Sequence, residues 1–139
     1  MSETRIDVRL HHVSIPVSDL ERSRQFYRDI LLLTEIPRPS FRTAGAWFRI
    51  NDGQELHLIV GGDRATFRGT KSLDLDDTHF AMRVGDYPQV LQFLRTKGYR
   101  EAEDEHDPMA ITTSSAAGYP QLYILDPDRN IVEINADAQ

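Results

Sequence analysis

A repeat inside the chain constrains its fold more than any other feature. Residues 10–31, LHHVSIPVSDLERSRQFYRDIL, read as a β-type run, a cap and a helix with Leu20, Ser23, Tyr27, Ile30 and Leu31 at helical spacing. Residues 77–99, DTHFAMRVGDYPQVLQFLRTKGY, run in the same order 67 residues later. The shift pairs His12 with His79, Val17 with Val84 and Asp19 with Asp86. A unit that recurs is one supersecondary element that buries its apolar face against its copy. Ser18 or Asp19 is the natural cap of the first helix; with Ser18 in that role, Glu21 would complete a capping box. Asp86 caps the second helix, whose apolar stripe is Tyr87, Val90, Leu91 and Leu94. Pro88 sits in the tolerated first turn and Gly98 supplies the left-handed stop.

A second shared element follows each helix. AWFRI-NDGQ-ELHLIV at 46–60 and QLYIL-DPDRN-IVEIN at 121–135 are pairs of apolar runs around Asn- and Asp-rich turns, and predict hairpins. The second turn is one residue longer, so the shift between the hairpins grows to 76, and pairing the strands places His57 close to Glu133. A third strand is expected before each hairpin, near 34–41 and 100–113, although Pro37 and Pro39 demote the first to an edge or irregular segment. Gly61, Gly62, Gly69 and the polar residues from Asp63 to Asp76 break both periodicities. The expected organisation is α+β: one domain over 1–139 made of two βαβββ modules, about 8–60 and 76–135, with a linker at 61–76 and principal helices near 19–31 and 87–97.

Composition narrows the chemistry. No run of about 18 apolar residues or secretory leader is present, which predicts a cytoplasmic protein with no membrane partner. Cysteine is absent, so any metal is left to imidazole and carboxylate ligands. A net charge of −6 and a pI near 5.3 argue against a nucleic-acid partner. Of the 16 basic residues only Lys71 and Lys97 are lysine, a bias read as codon usage and solvated surface rather than as anion recognition. The acidic runs at 74–77 and 101–107 read as solvated loops, with His106 exposed among them.

Each half carries one metal-capable residue in its first strand and one in its last. Strands alternate faces, so His12 shares a face with Ser14 and Pro16, and His57 with Glu55 and Ile59; His11 falls on the opposite face and reads as surface or packing. Taken singly, a strand His or Glu is ordinary hydrogen-bonded polarity. Repeat-related placement is different, because structure alone gives no reason for imidazole or carboxylate at the same place in both halves.

LHHVSIPVSDLERSRQFYRDIL, DTHFAMRV and LYILDPDRNIVEIN together resemble the signature regions of the vicinal-oxygen-chelate superfamily, which includes glyoxalase I, methylmalonyl-CoA epimerase, extradiol dioxygenases, fosfomycin-resistance enzymes and bleomycin-binding proteins. The resemblance implies paired βαβββ modules whose mixed sheets curl around a cleft with a metal on its floor. It places first-strand ligands at His12 and His79 and the final ligand at Glu133. His57 stands where glyoxalase I carries Glu and epimerases carry Gln, and is left as ligand, general base or both. Tyr123 stands where dioxygenases and fosfomycin-resistance enzymes often direct a Tyr at the substrate; β-propensity explains it equally well.

The implied function is a divalent-metal-dependent enzyme, the ion being Zn, Ni, Mn or Fe, that acts on a small oxygen-chelating substrate by glyoxalase-type lyase or isomerase chemistry. An iron-dependent dioxygenase, with His12, His79 and Glu133 as a facial triad, is the alternative. Addition to an epoxide antibiotic lacks an identifiable phosphonate site. A metal-free drug-sequestering protein of bleomycin-resistance type is the non-enzymatic alternative. The four candidate ligands are expected to meet one ion at about 2.0–2.3 Å, and a homodimer is expected from exposed sheet faces and edges.

Overall fold

A computed structural model describes residues 2–138. In chain order the elements are β1 (His12–Val17), α1 (Leu20–Gln25), β2 (Thr34–Ile36), β3 (Gly45–Asn51), β4 (Gln54–Val60), β5 (His79–Arg83), α2 (Tyr87–Thr96), β6 (Thr112–Ser114), β7 (Gln121–Leu125) and β8 (Ile131–Asn135). They form two four-stranded mixed sheets of the same topology, β1-β4-β3-β2 and β5-β8-β7-β6. In each, the first strand lies parallel to the last, and the remaining pairs are antiparallel. This is the α+β architecture of two βαβββ units that the repeat predicts.

The register reproduces the repeat at single-residue resolution. Ser14 faces His57 and Trp47 faces His57 in the first sheet; Ala81 faces Glu133 and Tyr123 faces Glu133 in the second. His12 and His79 each open the first strand of a sheet. His57 and Glu133 are therefore repeat equivalents on separate sheets, as are Trp47 and Tyr123.

Asp19, not Ser18, caps α1, accepting from the Arg22 amide at 3.1 Å. Ser18 is diverted: its amide donates to Asp128 Oδ2 at 3.0 Å, so no capping box with Glu21 forms. The helix widens into a π-helical turn at Phe26–Ile30, closed by the Leu31 amide on the Phe26 carbonyl at 3.2 Å. That turn lets two consecutive aromatics, Phe26 and Tyr27, both enter the core. Asp86 caps α2 and Gly98 ends it at φ 98°, as the sequence predicts.

The third strands are shorter than expected, three residues each, because the prolines near 37–39 and the acidic loop around 101–107 interrupt pairing. One core joins the inward faces of both sheets to the helices, with Val17, Tyr27, Phe48, Leu56, Leu58, Leu94, Leu122, Ile124 and Val132 fully buried. A smaller cluster fills the other face of the second sheet. There Leu73, from the segment between the modules, packs with Tyr123, Leu125 and Ile131. The matching face of the first sheet is more open, with Trp47 half-buried and Ile59 exposed. No helix among the described residues is long and apolar enough to cross a membrane.

Candidate functional site

Alternation along β5 and β8 sends His79, Ala81 and Glu133 to one face of the second sheet. Because Glu133 is level with Ala81, the His79 ring reaches it diagonally, with Nε2 at 3.4 Å from Oε1. His79 Nδ1 lies 2.8 Å from the Asp77 carbonyl oxygen. A carbonyl only accepts, so a proton belongs on Nδ1, and Nε2 is the ring nitrogen turned toward the carboxylate. Nε2 and Oε1, both ordinary metal donors, thus face each other. A divalent ion can take the place of a proton between them, since metal bonds of about 2.0–2.2 Å leave two ligand atoms on one ion about 3–3.5 Å apart. The His79 and Glu133 pair fits a divalent ion.

The Glu133 surroundings favour its charged form. Burial pushes its carboxyl up, but bonds from Asn135, Tyr123 and Gln121 and the charge of His79 outweigh burial and hold it below the usual carboxylate range. Gln121 Nε2 donates at 3.2 Å and Asn135 Nδ2 at 2.6 Å. Burial, then the bond to Glu133, pushes the Tyr123 phenol up to about 12, so at neutral pH it is a donor.

The first sheet carries a different cluster. His57 is buried and lies between two rings, Trp47 at 4.0 Å and 4° and His12 at 4.1 Å and 17°. Its Nε2 is 2.9 Å from Glu55 Oε1, the neighbour two residues along the same face. His11 does not turn away as strand alternation implies: it precedes β1, and its Nδ1 lies 2.8 Å from His12 Nδ1. Two nearly parallel rings 4.1 Å apart hold their lone pairs in parallel planes, so in this arrangement His12 and His57 do not aim at one point.

The four candidate ligands are thus found as two pairs, one on each sheet. Among the described residues, no three His, Asp or Glu side chains are grouped to share an ion. His12 is the link between them. It lines a 350 Å³ cavity together with His79, and a 450 Å³ cleft together with His57, Trp47 and Arg38. A third cavity, 370 Å³, lies on the helix side among Leu31, Met82, Val90 and Phe93 and holds none of the candidates. His106 is exposed, as expected.

Sequence reasoning missed Trp47, and it gave Glu55 the correct face but no role. The signal for Trp47 was present: the 76-residue shift that matches His57 with Glu133 also matches Trp47 with Tyr123.

Comparison with known proteins agrees with this architecture. Residues 9–39 match the family model described as bleomycin resistance protein-like N-terminal. No curated protein matches. Among solved structures, a protein from Bacillus anthracis described as of the glyoxalase family superposes with a TM-score of 0.75 at 21% identity, covering 97% of this chain and 99% of that one. A glyoxalase/dioxygenase from Nostoc punctiforme gives 0.68 at 21%, covering 99% and 100%. Lactoylglutathione lyase from Agrobacterium tumefaciens gives 0.67 at 16%, covering 95% and 96%. The chain has the fold of the vicinal-oxygen-chelate proteins.

Proposed function

We propose that the chain is a divalent-metal-dependent enzyme acting on a small oxygen-chelating substrate, by lyase or isomerase chemistry of the glyoxalase type. The facing of His79 Nε2 and Glu133 Oε1 at 3.4 Å, with the His79 proton held on the other nitrogen by Asp77, carries this reading. His12, in the cavity that His79 also lines, is the third ligand in this proposal. When bound, the ion would act as a Lewis acid on two neighbouring substrate oxygens.

The remaining groups then take distinct roles. His57, oriented by Glu55 and clamped between two rings, leaves Nδ1 to take up and return a substrate proton, the work of a general base. That geometry supports the base over the ligand role among the two that the sequence leaves open. Tyr123 would give up its hydrogen bond to Glu133 and donate that phenolic hydrogen to a developing substrate oxyanion.

With His57 held by Glu55, the proposed ligands reduce to two His and one carboxylate, a set that also suits iron(II) in oxygen-activating enzymes. This favours the dioxygenase as the second reading. Oxygen consumption with a catechol, against turnover of the methylglyoxal–glutathione adduct, separates the two.

Metal analysis of protein purified without chelator tests the proposal. Near-stoichiometric divalent metal is expected in the wild type, and its loss in His79→Ala and in Glu133→Ala, since two protein ligands rarely hold a divalent ion against buffer. Full occupancy in both variants would show that the metal does not sit on His79 and Glu133, and none in the wild type would favour a metal-free ligand-sequestering protein of bleomycin-resistance type.

A further inference from the structure

The open face of the first sheet holds two cations that the mechanism above does not use. Arg38 and Arg42, from the segment joining β2 to β3, line the 450 Å³ cleft that His12, His57, Phe41 and Trp47 also line. Neither makes an ion pair among the described residues, whereas Arg22, Arg24, Arg28, Arg68, Arg83 and Arg100 all do. The nearby carboxylates are taken: Glu35 of β2 by Arg24, and Glu55 of β4 by His57.

Arg38 is built into its position. Pro39, the residue after it, disfavours helical backbone at Arg38. Its guanidinium lies against β3 at Gly45, where an added Cβ would meet the Leu58 carbonyl oxygen first and come within 2.9 Å of Arg38 Cζ and Nε. Its other face covers the Phe41 ring, with Cζ 4.7 Å from the centroid. Glycine and a phenyl ring position the charge without neutralising it. Arg38 Nε is shut off from solvent in the cleft wall and has no hydrogen-bond partner, so only the end of the guanidinium is left to a ligand.

Beside the cations stand two aromatic surfaces, the exposed Phe41 and the half-buried Trp47, their centroids 6.0 Å apart. A cleft of this size takes one small molecule rather than a polymer, and a chain of net charge −6 repels nucleic acid overall.

We propose that Arg38 and Arg42 form an oxyanion subsite beside His12 and His57, and that the substrate is a small aromatic oxyanion whose carboxylate or phosphoryl group sits on the two guanidinium groups while its ring lies on Phe41 and Trp47. The inference deepens the functional reading above by naming the substrate class of the same site. A guanidinium fork matches both kinds of oxyanion, and charge-assisted bonds of this type carry specificity as well as affinity.

Trp47 is the single tryptophan of the chain and lies in the cleft, so its fluorescence reports binding directly. Purified protein without added metal would be titrated with benzoate, phenyl phosphate and the neutral benzyl alcohol. Saturable quenching by at least one oxyanion, about 10-fold tighter than by benzyl alcohol, is expected, together with a loss of about 10-fold in Arg38→Gln and in Arg42→Gln, and partial recovery in Arg38→Lys. The tighter of the two oxyanions identifies the group as carboxylate or phosphoryl. Equal binding of benzyl alcohol, no quenching by either oxyanion, or unchanged affinity in the doubly substituted Arg38→Gln, Arg42→Gln protein overturns the proposal. Protein stripped of metal with EDTA should keep the quenching, so failure of the metal reading and failure of this one are told apart.

Discussion

The hydroxyl of Tyr27, buried in the π-helical turn of the first module, donates a 2.7 Å hydrogen bond to Asp126 Oδ2 in the β7–β8 turn of the second. Asp126 also organises that turn, accepting from the Asp128 amide at 2.9 Å and from Asn130 Nδ2 at 2.9 Å. The acidic turn of the closing hairpin is thus a structural tie between modules as well as a turn.

Tyr27→Phe should destabilise the protein by about 1.5–3 kcal/mol, the usual contribution of a buried hydrogen bond to a charged group. Urea denaturation would measure it. A loss of only a few tenths would mean that solvent replaces the hydroxyl and that the tie contributes little.

Asp126 predicts a pH dependence of a definite sign. Burial pushes its carboxyl above the ordinary value, against bonds from Asn130, Tyr27 and Asp128 that favour the charged form. The native state therefore binds this proton more tightly than the unfolded chain. Its stabilisation is complete below the unfolded value, about pH 4, and is lost as pH rises through the raised native value. The stability difference between wild type and Asp126→Asn should favour the wild type most near pH 4 and shrink toward pH 7. A difference that instead grew with pH would contradict the raised value.

His57→Ala separates the two roles open to that residue. A general base predicts retained metal with turnover reduced by about 10²–10⁴. Markedly weaker metal retention at unchanged protein stability would restore His57 to the ligand set.

We expect a homodimer. Ile6, Val8 and Leu10 alternate ahead of β1 and are 78%, 78% and 65% exposed, an apolar stripe beside a strand at the edge of its sheet. Light scattering should give twice the 15.9 kDa chain mass, and replacing all three by Ser should move it to the monomer. A monomer in the unmodified protein at micromolar concentration excludes the expectation.

Much of the fold could be read without coordinates, because its signals are local. Two-residue alternation determines which side chains share a face, so His57 joins Glu55. It does not determine which sheet a strand enters, and His57, expected close to Glu133, lies on the other sheet. Capping at Asp86 and the stop at Gly98 depend on a few adjacent residues. The 67-residue repeat carries the topology, since equivalent segments bury equivalent faces.

What local pattern leaves open is how side chains from different elements meet. Ser18 has the residue type of a helix cap, yet its hydrogen bonds go to Asp128, 110 residues away. His57 has the position of a ligand, but Trp47 and His12, on the strands either side of it, clamp its ring, and Glu55 engages its nitrogen. Arg38 reads as surface charge until the fold lays its guanidinium against Gly45 on β3. Periodicity specifies the direction of a side chain from its own backbone, whereas its partners, protonation and available lone pairs depend on contacts that only packing brings together.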